Sequence, residues 1–164
     1  MKLRSMTTTC LLSLACLAPT TGWAQNPHFV GTPTATFSGN NANACFKESG
    51  LGSNVLITYL ASANGTATYV CVNSGGQCPN AANKITVSGP VSATGTFSSG
   101  KNGTISQCLQ IPPPGPGTFT CPSGQTRTLA QVSYSGITIT DTTTPVGPVP
   151  TKPSSLSATL FTCP

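Results

Sequence analysis

Apolar and polar residues alternate with a period of two through most of this chain, and no stretch carries the spacing of an amphipathic helix. The clearest run is Ile85 to Phe97. There Ile85, Val87, Gly89, Val91, Ala93, Gly95 and Phe97 alternate with Thr86, Ser88, Pro90, Ser92, Thr94 and Thr96. Successive side chains of a strand point to opposite faces, so this run predicts a strand with one buried face and one wet face. Pro90 falls on the outward set and has no N–H to give, which predicts an edge position or a bulge.

Further strands follow from the same pattern. Val55 to Leu60 is apolar on both faces, as a central strand would be. Thr66 to Val72 alternates around Tyr69, and Ala63-Asn64-Gly65 between these two runs reads as a hairpin turn. Thr104 to Ile111 sets Ile105, Leu109 and Ile111 to one side, and the turn Ser99-Gly100-Lys101-Asn102-Gly103 joins it back to the long strand. Thr128 to Thr140 alternates through Ala130, Val132 and Tyr134, then changes phase at Gly136 to Ile137 and Ile139, which predicts a bulge. Thr34 to Phe37 and Leu156 to Phe161 supply an early and a last strand. Ile111-Pro112-Pro113-Pro114-Gly115-Pro116-Gly117 has too few N–H donors to join a ladder. Thr142 to Pro153, with four prolines, reads as an extended connection. Seven or eight strands with short turns predict an all-β chain, and the expected fold is an immunoglobulin-like β-sandwich. The central Trp usual in that fold is missing.

That Trp is missing because Trp23 belongs to a segment that reads as an export signal. Lys2 and Arg4 precede an apolar stretch through Leu11, Leu12, Leu14, Ala15 and Leu17, and Gly22-Trp23-Ala24 offers small residues before a cut at Gln25. The stretch is much shorter than the roughly 20 residues that span a bilayer, so membrane insertion is not expected. Acylation at Cys16 is disfavoured by Ser13. Residues 25–164 then form a single domain carrying five basic and two acidic residues, a net charge of +3. Lys47, Lys84, Lys101, Arg127 and Lys152 are scattered, which argues against a nucleic-acid stripe. The surface must therefore be built from Thr, Ser, Asn, Gln and Gly, as suits a secreted or extracellular protein, with periplasm or cell surface as variants.

Six cysteines remain beyond Cys10 and Cys16: Cys45, Cys71, Cys78, Cys108, Cys121 and Cys163. An even count in a short exported chain predicts three disulfides, whereas a zinc site would need paired ligands that this sequence lacks. Six cysteines allow 15 pairings. A local scheme joins Cys71 to Cys78 and Cys108 to Cys121. A nested scheme, slightly favoured, joins Cys71 to Cys121 and Cys78 to Cys108, and either leaves Cys45 to hold Cys163.

Candidate chemistry is sparse. Glu48 and Asp141 are the only side-chain carboxylates, each beside turn residues, and are expected to form a loop salt bridge or a backbone cap rather than a glycosidase pair. His28 is the only histidine, and no nucleophile turn surrounds any serine. No catalytic, cofactor or metal residues are assigned. Asn64-Gly65-Thr66 and Asn102-Gly103-Thr104 fit the glycosylation sequon, which matters only for a eukaryotic source. The aromatic residues sit within strand patterns, which points to the core rather than to sugar-stacking platforms.

Cys45-Phe46-Lys47-Glu48-Ser49-Gly50-Leu51-Gly52, with Ala82-Asn83-Lys84 and Cys121-Pro122-Ser123-Gly124-Gln125, resembles a family of small exported microbial β-rich proteins of unknown function. The resemblance runs over most of residues 25–164 and implies one secreted β domain, with no catalytic residue or ligand attached. The expected function is a non-enzymatic secreted or surface domain that binds or adheres to an extracellular protein or glycan. The Pro-rich loop before Cys121 is also a candidate protease-inhibitory element. The rival readings are a self-assembling extracellular subunit, pairing through uncharged strand edges, and an enzyme or toxin with an unrecognised site.

Overall fold

The computed structural model describes residues 26–79 and 83–164. The expected export segment, residues 1–24, lies outside them, as does Ala82. Among the described residues the chain forms nine strands and no helix. They are β1 (His28–Phe29), β2 (Thr34–Ser38), β3 (Asn41–Ser49), β4 (Leu56–Asn73), β5 (Lys84–Ser98), β6 (Thr104–Ile111), β7 (Gln125–Asp141), β8 (Val146–Pro150) and β9 (Leu156–Thr159).

The strands make a β-sandwich of two antiparallel sheets. In the first, β6 runs along one edge of β3, and β2 and β1 follow one another along the other edge. In the second, β4 lies between β5 and β7, while β8 and β9 share the far edge of β7. Counted as rows rather than as strands, the sandwich is three wide on one side and four on the other.

Several expectations are corrected here. Ala63-Asn64-Gly65 is not a turn; β4 continues through it as one strand of 18 residues. Gly65 has a different cause. A Cβ built there would stand 2.8 Å from Cδ and 3.0 Å from Cγ of Pro114, so the glycine admits the proline loop against the inner face of β4. The segment Ser99–Gly103 does not close a hairpin, because β6 pairs with β3 and not with β5. It carries the chain from one sheet to the other. Thr142 to Pro153 contains a strand, β8. It survives its prolines because it lies at a sheet edge, where only one side must be hydrogen-bonded. The bulge falls where the phase change predicts: the β4–β7 register shifts between Ser62 and Asn64, and Gly136 there has φ +63°.

The inner faces meet in one alanine-rich core. Ala35, Ala42, Ala44 and Phe46 from β2 and β3, with Ile105, Leu109 and Ile111 from β6, face Ile57, Tyr59, Ala61 and Ala63 of β4 and Val132, Tyr134, Ile137 and Ile139 of β7. Small residues on the first sheet stand against the two tyrosines on the second, which lets the sheets interdigitate. The Tyr134 hydroxyl donates to Asn40 O at 2.8 Å, and the Tyr69 hydroxyl to Pro114 O at 2.8 Å. A second, smaller cluster of Val70, Val72 and Ala130 lies under Cys78 and Phe161.

Three disulfides hold this arrangement, in a pairing that differs from the nested scheme at two of them. Cys71–Cys121 is present, but Cys45 is bonded to Cys108 and Cys78 to Cys163. The reason is topological. With β6 in the first sheet, Cys108 stands directly across from Cys45 in the β3–β6 register. The tail after β9 crosses beside Ala130, where Leu160 N donates to its carbonyl, and so brings Cys163 to Cys78. Neither arrangement follows if β5 and β6 are taken as a hairpin.

The close approach at Gly65 predicts a substitution effect. Gly65→Ala should destabilise the fold by about 1–3 kcal/mol, since the pyrrolidine ring of Pro114 cannot rotate away. Urea midpoints of the two proteins measure this, and a change under half a kcal/mol would refute the packing role.

Candidate functional site

Residues that stand opposite one another on neighbouring strands share a face of the sheet. On the outer face of the second sheet this rule builds two rows of polar side chains. One runs Thr86, Thr68, Gln131, Thr159 across β5, β4, β7 and β9, and the other runs Ser88, Thr66, Ser133, Ser157. Strand spacing makes each row ~14 Å long, and the two-residue repeat sets the rows ~7 Å apart. Within the rows, the Thr68 and Thr86 hydroxyls lie 2.9 Å apart, and Thr66 and Ser88 likewise 2.9 Å. These contacts fix the rotamers at the β5 end.

Towards β9 the same face dips into an open trough of about 300 Å³, where Val132 and Ala158 join the polar Thr66, Thr68, Gln131, Ser133, Ser157 and Thr159 in the lining. This volume is at the lower end for small-molecule sites. Among the described residues, no charged or aromatic side chain lines it. The polar groups that the trough offers are hydroxyls, each both donor and acceptor, and one carboxamide. The alternation made the outward set of β4 readable from sequence, but that β9 lies beside β7 and completes the rows was not readable.

The chain matches no protein-family model, no curated protein and no solved structure. The arrangement of residues is therefore what a functional reading rests on.

The two carboxylates lie elsewhere, inside the sandwich, and both are fully buried. Glu48 is not in a loop. It is the last inward position of β3, flanked on its own face by Phe29 and Ile105 through the β1 and β6 registers. Opposite stands Tyr59, whose ring is 4.3 Å from that of Phe46 and 6.5 Å from that of Phe29. Tyr59 is in turn the register partner of Asp141. Neither Glu48 oxygen nor the Tyr59 hydroxyl makes a hydrogen bond. Burial among apolar groups pushes the Glu48 carboxyl above its ordinary range; the nearby Tyr59 hydroxyl opposes that shift without overcoming it, although the pair falls short of a formed hydrogen bond. Burial likewise raises Tyr59, and pushes Tyr134 up to about 12. Asp141 accepts from the backbone N–H groups of Thr143 at 2.7 Å and Thr144 at 3.0 Å, and from the Thr144 hydroxyl, closing the turn before β8.

The remaining candidates are dispersed. His28 is exposed, with Nδ1 2.9 Å from Asn26 O. Asn64 stands exposed in mid-strand rather than at a turn, while Asn102 does lie in a turn. Every described tyrosine is buried and every described phenylalanine at least half-buried, so no ring offers an open stacking platform among the described residues. The proline loop packs inward on Pro114 and is tied at its end by Cys71–Cys121.

The raised Glu48 carboxyl gives stability a definite slope with pH. The folded chain keeps a proton that the unfolded chain releases, so ionisation above the ordinary carboxylate range favours the unfolded state. Stability should fall as pH rises from that range towards the folded pKa. Glu48→Gln removes this dependence. Urea midpoints between pH 4 and 7 should show the wild type losing ground to the variant as pH rises; parallel curves would refute a buried neutral acid.

Proposed function

We propose that this chain is a secreted or surface-associated, non-enzymatic binding domain whose outer β5–β4–β7–β9 face takes a neutral, hydroxyl-bearing chain such as an extracellular polysaccharide. The observation that carries this reading is the pair of aligned polar rows meeting in an uncharged trough. An anionic ligand would ask for Lys or Arg in the lining, and a cationic one for carboxylates. A polyol asks for groups that both donate and accept, and the trough supplies these. Without a stacked ring each contact is worth little, so the reading implies a chain lying along the rows and touching several hydroxyls at once.

Other features support a binding role over catalysis and assembly. Glu48 and Asp141 are enclosed between the sheets and do not line the trough, which leaves carboxylate chemistry without access to a substrate there. The β5 edge carries Pro90 at its middle, and a residue with no N–H interrupts the ladder that a second copy would extend. Three disulfides in a small all-β chain suit an oxidising, extracellular setting.

Depletion assays with insoluble neutral polysaccharides test this reading. The wild type should partition to at least one of cellulose, chitin or a β-glucan, insensitive to salt. The Thr66→Val/Thr68→Val variant removes two hydroxyls but keeps the β-branched shape that suits a strand, so its melting should be unchanged. Its affinity should fall about tenfold, roughly 1.4 kcal/mol. Absence of binding to all of these polymers, or equal binding by the variant, would sink the proposal.

A further inference from the structure

The three disulfides differ in their surroundings. Cys45 and Cys108 are register partners on adjacent strands of the first sheet, with Cα atoms 4.0 Å apart, and they project from its outer face. Cys108 is exposed and Cys45 half-buried. Among the described strands β6 pairs only with β3, so the flank of Cys108 away from Cys45 lies towards a free sheet edge. Thiol–disulfide exchange proceeds by thiolate attack on one sulfur while the other departs. The open edge leaves an approach to Cys108 Sγ from the side opposite the sulfur that must leave.

The departing sulfur is also provided for. Asn43, two residues before Cys45 and on the same face of β3, donates from Nδ2 to Cys45 Sγ at 3.3 Å. Lys47, two residues after Cys45, adds an exposed positive charge on that face. Donors and cations lower a thiol's pKa, and a lower pKa makes a better leaving group. The other bridges are placed differently, although Arg127 stands across from Cys71 in the β4–β7 register. Cys71 is buried in the interior. Cys163 is exposed, but its partner Cys78 packs against the apolar cluster of Val70, Val72 and Ala130 with Phe161, where a thiolate is disfavoured.

We propose that Cys45–Cys108 is an exchange-competent disulfide that accepts an external thiolate at Cys108 and releases Cys45 as the leaving thiolate. In that step the Cys45–Cys108 bond breaks, a new S–S bond forms between Cys108 and the incoming sulfur, and the electron pair departs on Cys45. One disulfide replaces another, so no separate oxidant or reductant is consumed. The β3–β6 ladder holds eight register pairs from Ala42–Ile111 to Ser49–Thr104, and it keeps the two strands together after the bridge opens. The fold therefore survives exchange, and the first sheet carries a covalent attachment point for thiols on the side of the sandwich away from the polar trough.

Incubating the native, fully oxidised protein with reduced glutathione at pH 8 tests the proposal. Samples are quenched with acid over time, free thiols are alkylated, and peptides are mapped by mass spectrometry. The first adduct should carry glutathione on Cys108 and the alkyl group on Cys45, with the far-ultraviolet circular dichroism unchanged. Asn43→Ala should slow this opening severalfold while leaving the rate at Cys78–Cys163 unaltered, a separation that a general loosening of the fold would not produce. Lys47→Gln, a change at an exposed position, should slow it as well. Opening of Cys78–Cys163 or Cys71–Cys121 first, glutathione on Cys45, or an unaltered rate in both variants would overturn the assignment.

Discussion

The rest of the sandwich depends on β4 being hydrogen-bonded along both edges. Its register with β5 runs unbroken from Leu56 to Val70, and that with β7 runs from Tyr59 to Asn73 with two shifts. An 18-residue strand is long for a globular domain, where five or six residues are usual. It is also longer than the sheet opposite can cover. The inner face near Tyr59 meets β3, and the inner face near Gly65 and Tyr69 meets the proline loop instead. The loop acts as the missing part of the opposite layer, tied down by Cys71–Cys121 and received by a glycine that gives way to Pro114. The outer face of the same strand carries Thr66 and Thr68, so the polar rows are straight only because β4 does not turn at Asn64-Gly65.

That dipeptide shows where sequence reasoning loses its grip. Asn-Gly between apolar runs is the strongest short hairpin signal, and the strand overrides it because close packing needed a residue without a side chain. The long alternating strand β5, the bulge at Gly136 and the two-sheet architecture were legible, since each rests on a period that the chain states plainly. The strand β3 was not. Its inward set is Ala42, Ala44, Phe46 and Glu48, and two alanines and a carboxyl give almost no hydrophobic contrast. Missing β3 hid the partner of β6, and that in turn hid two of the three disulfides. The trough was half legible: Thr66, Thr68 and Ser133 stand in readable outward positions, while Ser157 and Thr159 arrive by a chain crossing that no local pattern encodes.

Glu48 exposes a second constraint. A surface nearly free of charge makes the few ionisable groups conspicuous, yet both carboxylates are placed inside. Asp141 is satisfied by the turn it closes. Glu48 is not satisfied, and a charged form would stand among Phe29, Phe46 and Ile105 in a medium that resists charge. The neutral acid is the form such a site tolerates. Its remaining cost is that of two unbonded oxygens and one phenol, which the surrounding aromatic contacts must offset.

The two outer faces divide the polar work of the molecule. The second sheet sets its hydroxyls in rows held by cross-strand contacts, meeting in a trough whose lining carries no charge, an arrangement suited to many weak, reversible contacts. The first sheet is narrower, and its outer face gathers Asn43, Cys45, Lys47 and Cys108 where β3 meets β6. Reversible contact needs breadth and a rigid frame, which the double pairing of β4 provides. Covalent exchange needs one open sulfur, a supported leaving group and a scaffold that does not depend on the bond being broken. The β3–β6 ladder supplies the last of these, because its backbone hydrogen bonds already hold the strands that the disulfide joins.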